Sequence, residues 1–132
     1  MNQIAYVLLV LLMFCIVGCG GNSPEGVAKT YVGFLEDADF KGMRQMSTGG
    51  MIRWIDRAER RYDEIAKMFG EKKAAKIKKT YDNLKYEIGE SSVGSGDAKT
   101  TVPVKINGQN TPMTLIKIND EWRIEKFNFP II

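Results

Sequence analysis

The sequence contains no histidine, and its two cysteines, Cys15 and Cys19, both lie close to the N-terminus. The lack of histidine excludes Ser-His-Asp and Cys-His nucleophilic sites and the usual zinc sites. From Gly20 onward there is no thiol, which excludes a disulfide framework in that part of the chain. A domain made from these residues must depend on its hydrophobic core for stability.

Other chemical signatures are also missing. The sequence has no glycine-rich phosphate loop and no aspartate-rich calcium loop, so we predict no metal and no cofactor. Lysine and arginine number 19 and aspartate and glutamate 16, which leaves a formal net charge of +3. This excess is too small to predict nucleic-acid binding, although it is compatible with a nearby anionic lipid surface.

An apolar run extends from Ile4 to Val17, and no charged side chain occurs from Met1 to Gly21. At the helical rise this run spans roughly 21 Å, which is shorter than the ~30 Å hydrocarbon core of a bilayer. A run of this length at an N-terminus is typical of a signal peptide, although the usual Lys or Arg before it is missing. An uncleaved anchor and a buried core segment are the two other interpretations of this run.

The residues Ile16-Val17-Gly18-Cys19 resemble the lipobox of bacterial lipoproteins. The resemblance implies that residues 1–18 are a signal peptide, that lipid is attached to Cys19, and that residues 19–22 tether a domain formed by residues 23–132. It also implies a membrane partner and a place in the cell envelope. Gly20, rather than Asp, follows the cysteine. The resemblance to enteric lipoproteins, in which Asp at this position favours the inner membrane, implies the outer membrane or the periplasmic face in a cell with two membranes.

Helical spacing of apolar residues predicts four helices within about residues 24–83. Ser23 and Asp39 are suitable N-caps for the first two. The third has an apolar stripe that runs from Ile55 to Phe69, which predicts a buried Phe69. The predicted limits are Pro24 to about Ala38, Phe40 to Met46, Met51 to Phe69, and Glu71 to about Asn83.

The hydrophobic period changes to two within about residues 84–129, which predicts four strands. Pro103 cannot donate a ladder hydrogen bond, so its strand has an edge position or a bulge there. The third strand is apolar on both faces and is therefore the central one. The predicted limits are Leu84 to Ile88, Thr100 to Ile106, Thr111 to Ile118, and Glu121 to Phe129.

Helices followed by an antiparallel meander predict an α+β fold, with the N-terminal helices packed on one face of a curved four-stranded sheet. This order resembles the cystatin-like, nuclear-transport-factor-like cone. More narrowly, the chain resembles small bacterial lipoproteins of the domain of unknown function 4878 family. The residues that carry this resemblance are 23–31, Leu35, 39–41, 98–104 and 121–124. These motifs are structural, so they imply a fold and no activity.

We predict no catalytic residue and a non-enzymatic domain that binds a protein partner or a small apolar ligand. Six aromatic residues are candidates for the contact, and the alternative for all of them is a filled core. Trp54 lies off the main apolar stripe of its helix, so its partial exposure would favour a contact role. The six candidates are Tyr31, Phe34, Trp54, Tyr62, Tyr81 and Trp122.

The densest charge run lies in the fourth predicted helix. Lys72, Lys73, Lys76 and Lys79 are candidates for a patch that contacts an anionic surface. The alternative is a helix face that is simply solvated.

Two other functions remain alternatives. The resemblance to the cone fold, which ketosteroid isomerases share, would allow an isomerase or dehydratase that uses Asp63 as the carboxylate and Tyr31, Tyr62 or Tyr81 as the proton donor. A purely structural or inhibitory interaction module would need no pocket at all.

Overall fold

The computed structural model describes residues 23–91 and 98–132. The predicted signal peptide and tether lie outside these residues. Within the described ranges, four α-helices precede six β-strands, which confirms the α+β class. The helices are α1 (Pro24–Glu36), α2 (Phe40–Gln45), α3 (Gly49–Phe69) and α4 (Glu71–Asn83). The strands are β1 (Tyr86–Ile88), β2 (Lys99–Val102), β3 (Val104–Ile106), β4 (Gln109–Asn110), β5 (Met113–Ile118) and β6 (Glu121–Lys126).

The first two helices begin at the predicted caps. The hydroxyl of Ser23 accepts a hydrogen bond from the Gly26 amide at 3.0 Å. The carboxylate of Asp39 accepts one from the Gly42 amide, also at 3.0 Å. Each cap satisfies an amide that has no partner within its own helix, and so fixes where the helix starts.

Helix α3 begins at Gly49, two residues before the predicted start at Met51. The side chain of Thr48 makes no cap hydrogen bond. Instead, the Thr48 amide donates to the carbonyl of Ile124 in β6 at 2.9 Å. This contact between distant parts of the chain sets the start of the helix, and a local sequence pattern does not contain it.

The end of α3 also differs from the prediction. Ile65 is buried, whereas Phe69 is 57% exposed, so the expectation of a buried Phe69 is wrong. The helix has 21 residues and extends beyond the core that covers its apolar stripe. Gly70 follows with φ of +87°, a conformation that glycine adopts without steric cost, and α4 begins at the next residue.

The strands form two antiparallel three-stranded sheets, with the orders β1-β3-β4 and β2-β5-β6. Strand β5 is central in its sheet, as predicted. The strand predicted from Thr100 to Ile106 is divided in two, because Pro103 separates β2 from β3. Strand β4 lies before the strand predicted from Thr111 to Ile118, and Thr111 and Pro112 separate it from β5, which begins at Met113. Proline has no N–H for the ladder, which explains why hydrogen bonding stops at both places.

The core lies between the helices and the sheets and contains a run of aromatic rings. Tyr31 meets Phe127 with a centroid distance of 6.1 Å, Phe127 meets Phe129 at 6.1 Å, and Phe129 meets Tyr81 at 6.5 Å. Phe127 and Phe129 lie after the end of β6, which stops at Lys126 instead of the predicted Phe129. The C-terminal segment, residues 127–132, is therefore part of the packed domain. Among the helices of the described residues, none is long and apolar enough to cross a bilayer.

Candidate functional site

The six aromatic candidates all pack in or against the core. Tyr31, Tyr81 and Trp122 are buried, and Phe34, Trp54 and Tyr62 are partly buried against the same cluster. They do not line any of the three surface grooves described below. The structure thus gives each of them a packing role. Trp54 is also partly exposed, which is the condition that favours a contact role for this residue.

The hydroxyl of Tyr31 meets that of Ser47 at 3.2 Å in a buried setting. Ser47 Oγ also donates to the carbonyl of Met43 at 2.7 Å. Because a serine hydroxyl has one proton, the shared bond is donated by Tyr31. Burial raises the pKa of Tyr31. This hydroxyl is thus held in its neutral form and joined to the connection between α2 and α3.

Trp54 and Tyr81 hold the C-terminal segment. The indole N–H of Trp54 donates to the carbonyl of Phe129 at 3.2 Å. The hydroxyl of Tyr81 donates to the carbonyl of Pro130 at 3.0 Å and accepts from the amide of Ile132 at 3.4 Å. Burial raises the pKa of Tyr81.

Asp63, the carboxylate that the isomerase alternative requires, is exposed on α3. Tyr62 packs its ring edge to face against Phe40, with a centroid distance of 6.1 Å. Tyr31 and Tyr81 are buried, so the structure does not bring an exposed Asp63 together with either of them in a buried site. Within the described ranges there is also no group of histidine, cysteine, aspartate and glutamate that could hold a metal ion.

A groove with a mixed polar and apolar lining lies beside the segment that joins β4 to β5, and the sequence did not reveal it. It consists of two adjoining depressions with volumes of about 340 and 210 Å³, which share Thr111 and Asn128. Strand pairing between β5 and β6 ends at Thr114 and Lys126, which both line this groove. We call this feature the amide groove, because its lining includes Asn107, Gln109, Asn110 and Asn128.

Asn107 and Gly108 form the turn between β3 and β4, with φ of +51° and +80°. An Asn-Gly pair in a sequence predicts such a turn and gives no sign of a groove beside it. The signal in the sequence is the concentration of amides at three strand ends, with Pro112 interrupting the ladder between them.

A third groove of about 280 Å³ lies between the end of α1 and α4. Its lining combines Lys78 and Lys79 with Glu36, Asp37 and Asp82. The three acidic residues outnumber the two lysines in this lining. The predicted lysine patch is exposed at Lys72, Lys73, Lys76 and Lys79.

Two polar contacts join separate elements. Arg44 of α2 pairs with Asp56 at 3.0 Å and with Glu59 at 2.6 Å, both on α3. Hydrogen bonding to Glu59 is the main cause that raises the pKa of Arg44.

The Glu25 carboxylate accepts from the hydroxyl of Ser91 at 2.6 Å and from its amide at 2.7 Å. The side-chain hydrogen bond is the largest cause that lowers the pKa of Glu25.

Comparison with known proteins gives no relative. No protein-family model, no curated protein and no solved structure matches the chain. Any function must therefore be argued from the residues themselves.

Proposed function

We propose that this chain is a lipoprotein of the cell envelope, anchored by lipid on Cys19, whose domain binds a partner and carries out no catalysis. One observation carries the proposal. Helix α1 begins after a hydrogen-bonded cap at Ser23, four positions after the cysteine of the lipobox-like motif. A capped helix that starts directly after a short Gly/Asn sequence is compatible with a domain tethered at that cysteine.

The amide groove is the best candidate for the partner's contact. The Asn107 side-chain oxygen accepts from the Lys85 amide at 2.9 Å, and the other amide side chains offer both donors and acceptors. These groups suit a polar, extended ligand such as a segment of another protein. The six aromatic residues are used in packing, so this surface favours a protein partner over a small apolar ligand. The same reasoning leaves the isomerase alternative without a supporting contact.

We also propose that the two sheets together form one curved surface of the cystatin-like, nuclear-transport-factor-like type. The chain passes from one sheet to the other at two short connections, which supports this proposal. Pro103 alone separates β2 from β3, and two residues separate β4 from β5. An experimental structure in which the sheets turn away from each other would contradict this part of the proposal.

Metabolic labelling with radioactive palmitate tests the anchor. The wild-type chain should incorporate label and remain with membranes, whereas a Cys19→Ser variant should incorporate none. A Cys15→Ser variant is the matched control, since this residue would be removed with the signal peptide, and it should behave as the wild type. Failure of the wild type to incorporate palmitate would show that the lipoprotein assignment is wrong.

A photoactivatable cross-linker placed at Asn110 tests the groove in living cells. The same group at the exposed Arg57 of α3 serves as the control. We expect a discrete adduct from position 110 that is lost in a Thr111→Arg, Asn128→Arg background. Equal adducts from both positions would contradict a specific site in the groove.

A further inference from the structure

The corner where α3 meets α4 exposes apolar side chains. Met68 is 74% exposed and Phe69 is 57% exposed, the largest values for large hydrophobic residues among the described ranges. They occupy the last two positions of α3 and are followed by the sharp turn at Gly70. We call residues 67–79 the α3–α4 corner.

Positive charge is concentrated at this corner. Residues 67–79 contain six lysines and a single acidic residue, Glu71, whereas the whole chain has a net charge of only +3. The rest of the chain is therefore net negative. Lys78 and Lys79 face acidic residues in the groove beside α1. Lys72, Lys73 and Lys76 are exposed and line none of the three grooves.

The lysines and the apolar residues share one surface. Lys73 Nζ lies 4.3 Å from the centroid of the Phe69 ring, so charge and apolar surface are in direct contact. Ala74, Ile77 and Tyr81 bury the inner face of α4. Lys72 and Lys76, four residues apart, therefore project from its outer face.

We propose that the α3–α4 corner is a bilayer-contact surface, with Met68 and Phe69 entering the interface of an anionic membrane while Lys72, Lys73 and Lys76 contact lipid phosphates. Exposed apolar residues with flanking lysines are complementary to that interface, which is apolar below a layer of negative charge. The inference rests on the proposed lipid anchor, which keeps the domain beside a bilayer. The corner would then give the tethered domain a fixed orientation.

A fluorophore on a new cysteine tests this contact. In the mature lipoprotein Cys19 carries lipid, so Met68→Cys supplies a unique thiol, and Gln109→Cys in the exposed β4 supplies a matched control. The purified proteins are reconstituted into vesicles of phosphatidylcholine alone or with phosphatidylglycerol. A lipid-borne quencher near the headgroups should quench the label at position 68 in the anionic vesicles only, and the label at position 109 in neither.

A triple variant tests the role of the lysines and combines Lys72→Gln, Lys73→Gln and Lys76→Gln. Because each lysine near an anionic surface contributes about 1 kcal/mol, the variant should lower the ratio of docked to undocked protein by about 100-fold. Lys29→Gln, Lys85→Gln and Lys105→Gln, also exposed, form the control triple and should have little effect. Equal quenching of both labels, or no difference between vesicles, overturns the proposal. It is also overturned if soluble polyglutamate changes the emission of the label at position 68 as much as anionic vesicles do. Mass spectrometry of the purified wild type separately shows whether Cys19 carries lipid.

Discussion

The indole N–H of Trp54 donates to the carbonyl of Phe129 at 3.2 Å, and the two rings meet edge to face at a centroid distance of 6.3 Å. One side chain of α3 thus holds both the backbone and the ring of a residue near the C-terminus. Together with the Tyr81 hydroxyl on Pro130, this contact holds the C-terminal segment against the domain, with Phe127 and Phe129 in the core.

Trp54→Phe should reduce the free energy of unfolding by about 1 kcal/mol, because it removes the hydrogen bond to Phe129 but keeps an aromatic ring. Trp54→Ala should cost more, since it also removes the ring contact. Urea denaturation measures both values. If the two variants have equal stability, the ring contact with Phe129 contributes nothing and this account is wrong.

The hydroxyls of Tyr31 and Ser47 should contribute unequally to the free energy of unfolding. Tyr31→Phe leaves the Ser47 hydroxyl bonded to Met43, so we expect a loss of about 1 kcal/mol. Ser47→Ala leaves the Tyr31 hydroxyl buried without this partner, at a cost of about 1–3 kcal/mol. The double variant should lose less than the sum of the two. Additive losses in urea denaturation would show that the two hydroxyls do not interact.

Replacing each of two helix glycines by alanine should change the stability of the domain in opposite directions. A Cβ at Gly42 would lie 2.8 Å from Cδ1 of Phe34, so Gly42→Ala should destabilise the domain by about 1–3 kcal/mol. At Gly33 no side chain or distant backbone atom lies within 4 Å of the new Cβ apart from the adjoining residues, so Gly33→Ala should stabilise the domain by about 0.5–1 kcal/mol. Thermal unfolding by circular dichroism compares the two. A stabilising Gly42→Ala would contradict the close packing of Phe34.

The contact between Glu25 and Ser91 should make stability depend on pH. The pKa of the Glu25 carboxyl group in the folded protein is below the ordinary value of 4.5. The stabilising contribution of the ionised carboxylate is therefore complete above pH 4.5 and is lost as pH falls through the pKa of the folded protein. Glu25→Gln should remove this part of the acid dependence and cost about 1 kcal/mol or less at neutral pH, because solvent screens the group. Urea denaturation between pH 7 and pH 3 measures it. Parallel pH profiles for wild type and variant would contradict the prediction.

The sequence was most informative where local chemistry decides the structure. The caps at Ser23 and Asp39 and the turn at Gly70 depend on neighbouring residues, so the helix order could be predicted. The early start of α3 could not, because it depends on the carbonyl of Ile124, far along the chain. Phe69 continues the apolar spacing of its helix, and periodicity alone does not show where the covering elements end.

The candidate site was harder to predict than the fold. Tyr31, Trp54 and Tyr81 have the residue types of a binding pocket, but their hydrogen bonds reach Ser47, Phe129 and Pro130, which are distant in sequence. The amide groove arises where two ladders stop, and its lining comes from separate strand ends. Neither these hydrogen bonds nor this groove produces a repeating pattern or a fixed residue spacing, so a single sequence does not reveal them.

The fully buried Phe127 and Phe129 supply rings to a core that begins with Tyr31 in the first helix. A ribosome must therefore release nearly the entire domain before that core can close. For a chain exported in the way we propose, this delay is useful, because a secretion channel accepts an unfolded precursor. Late closure of the core would help to keep the nascent protein competent for translocation.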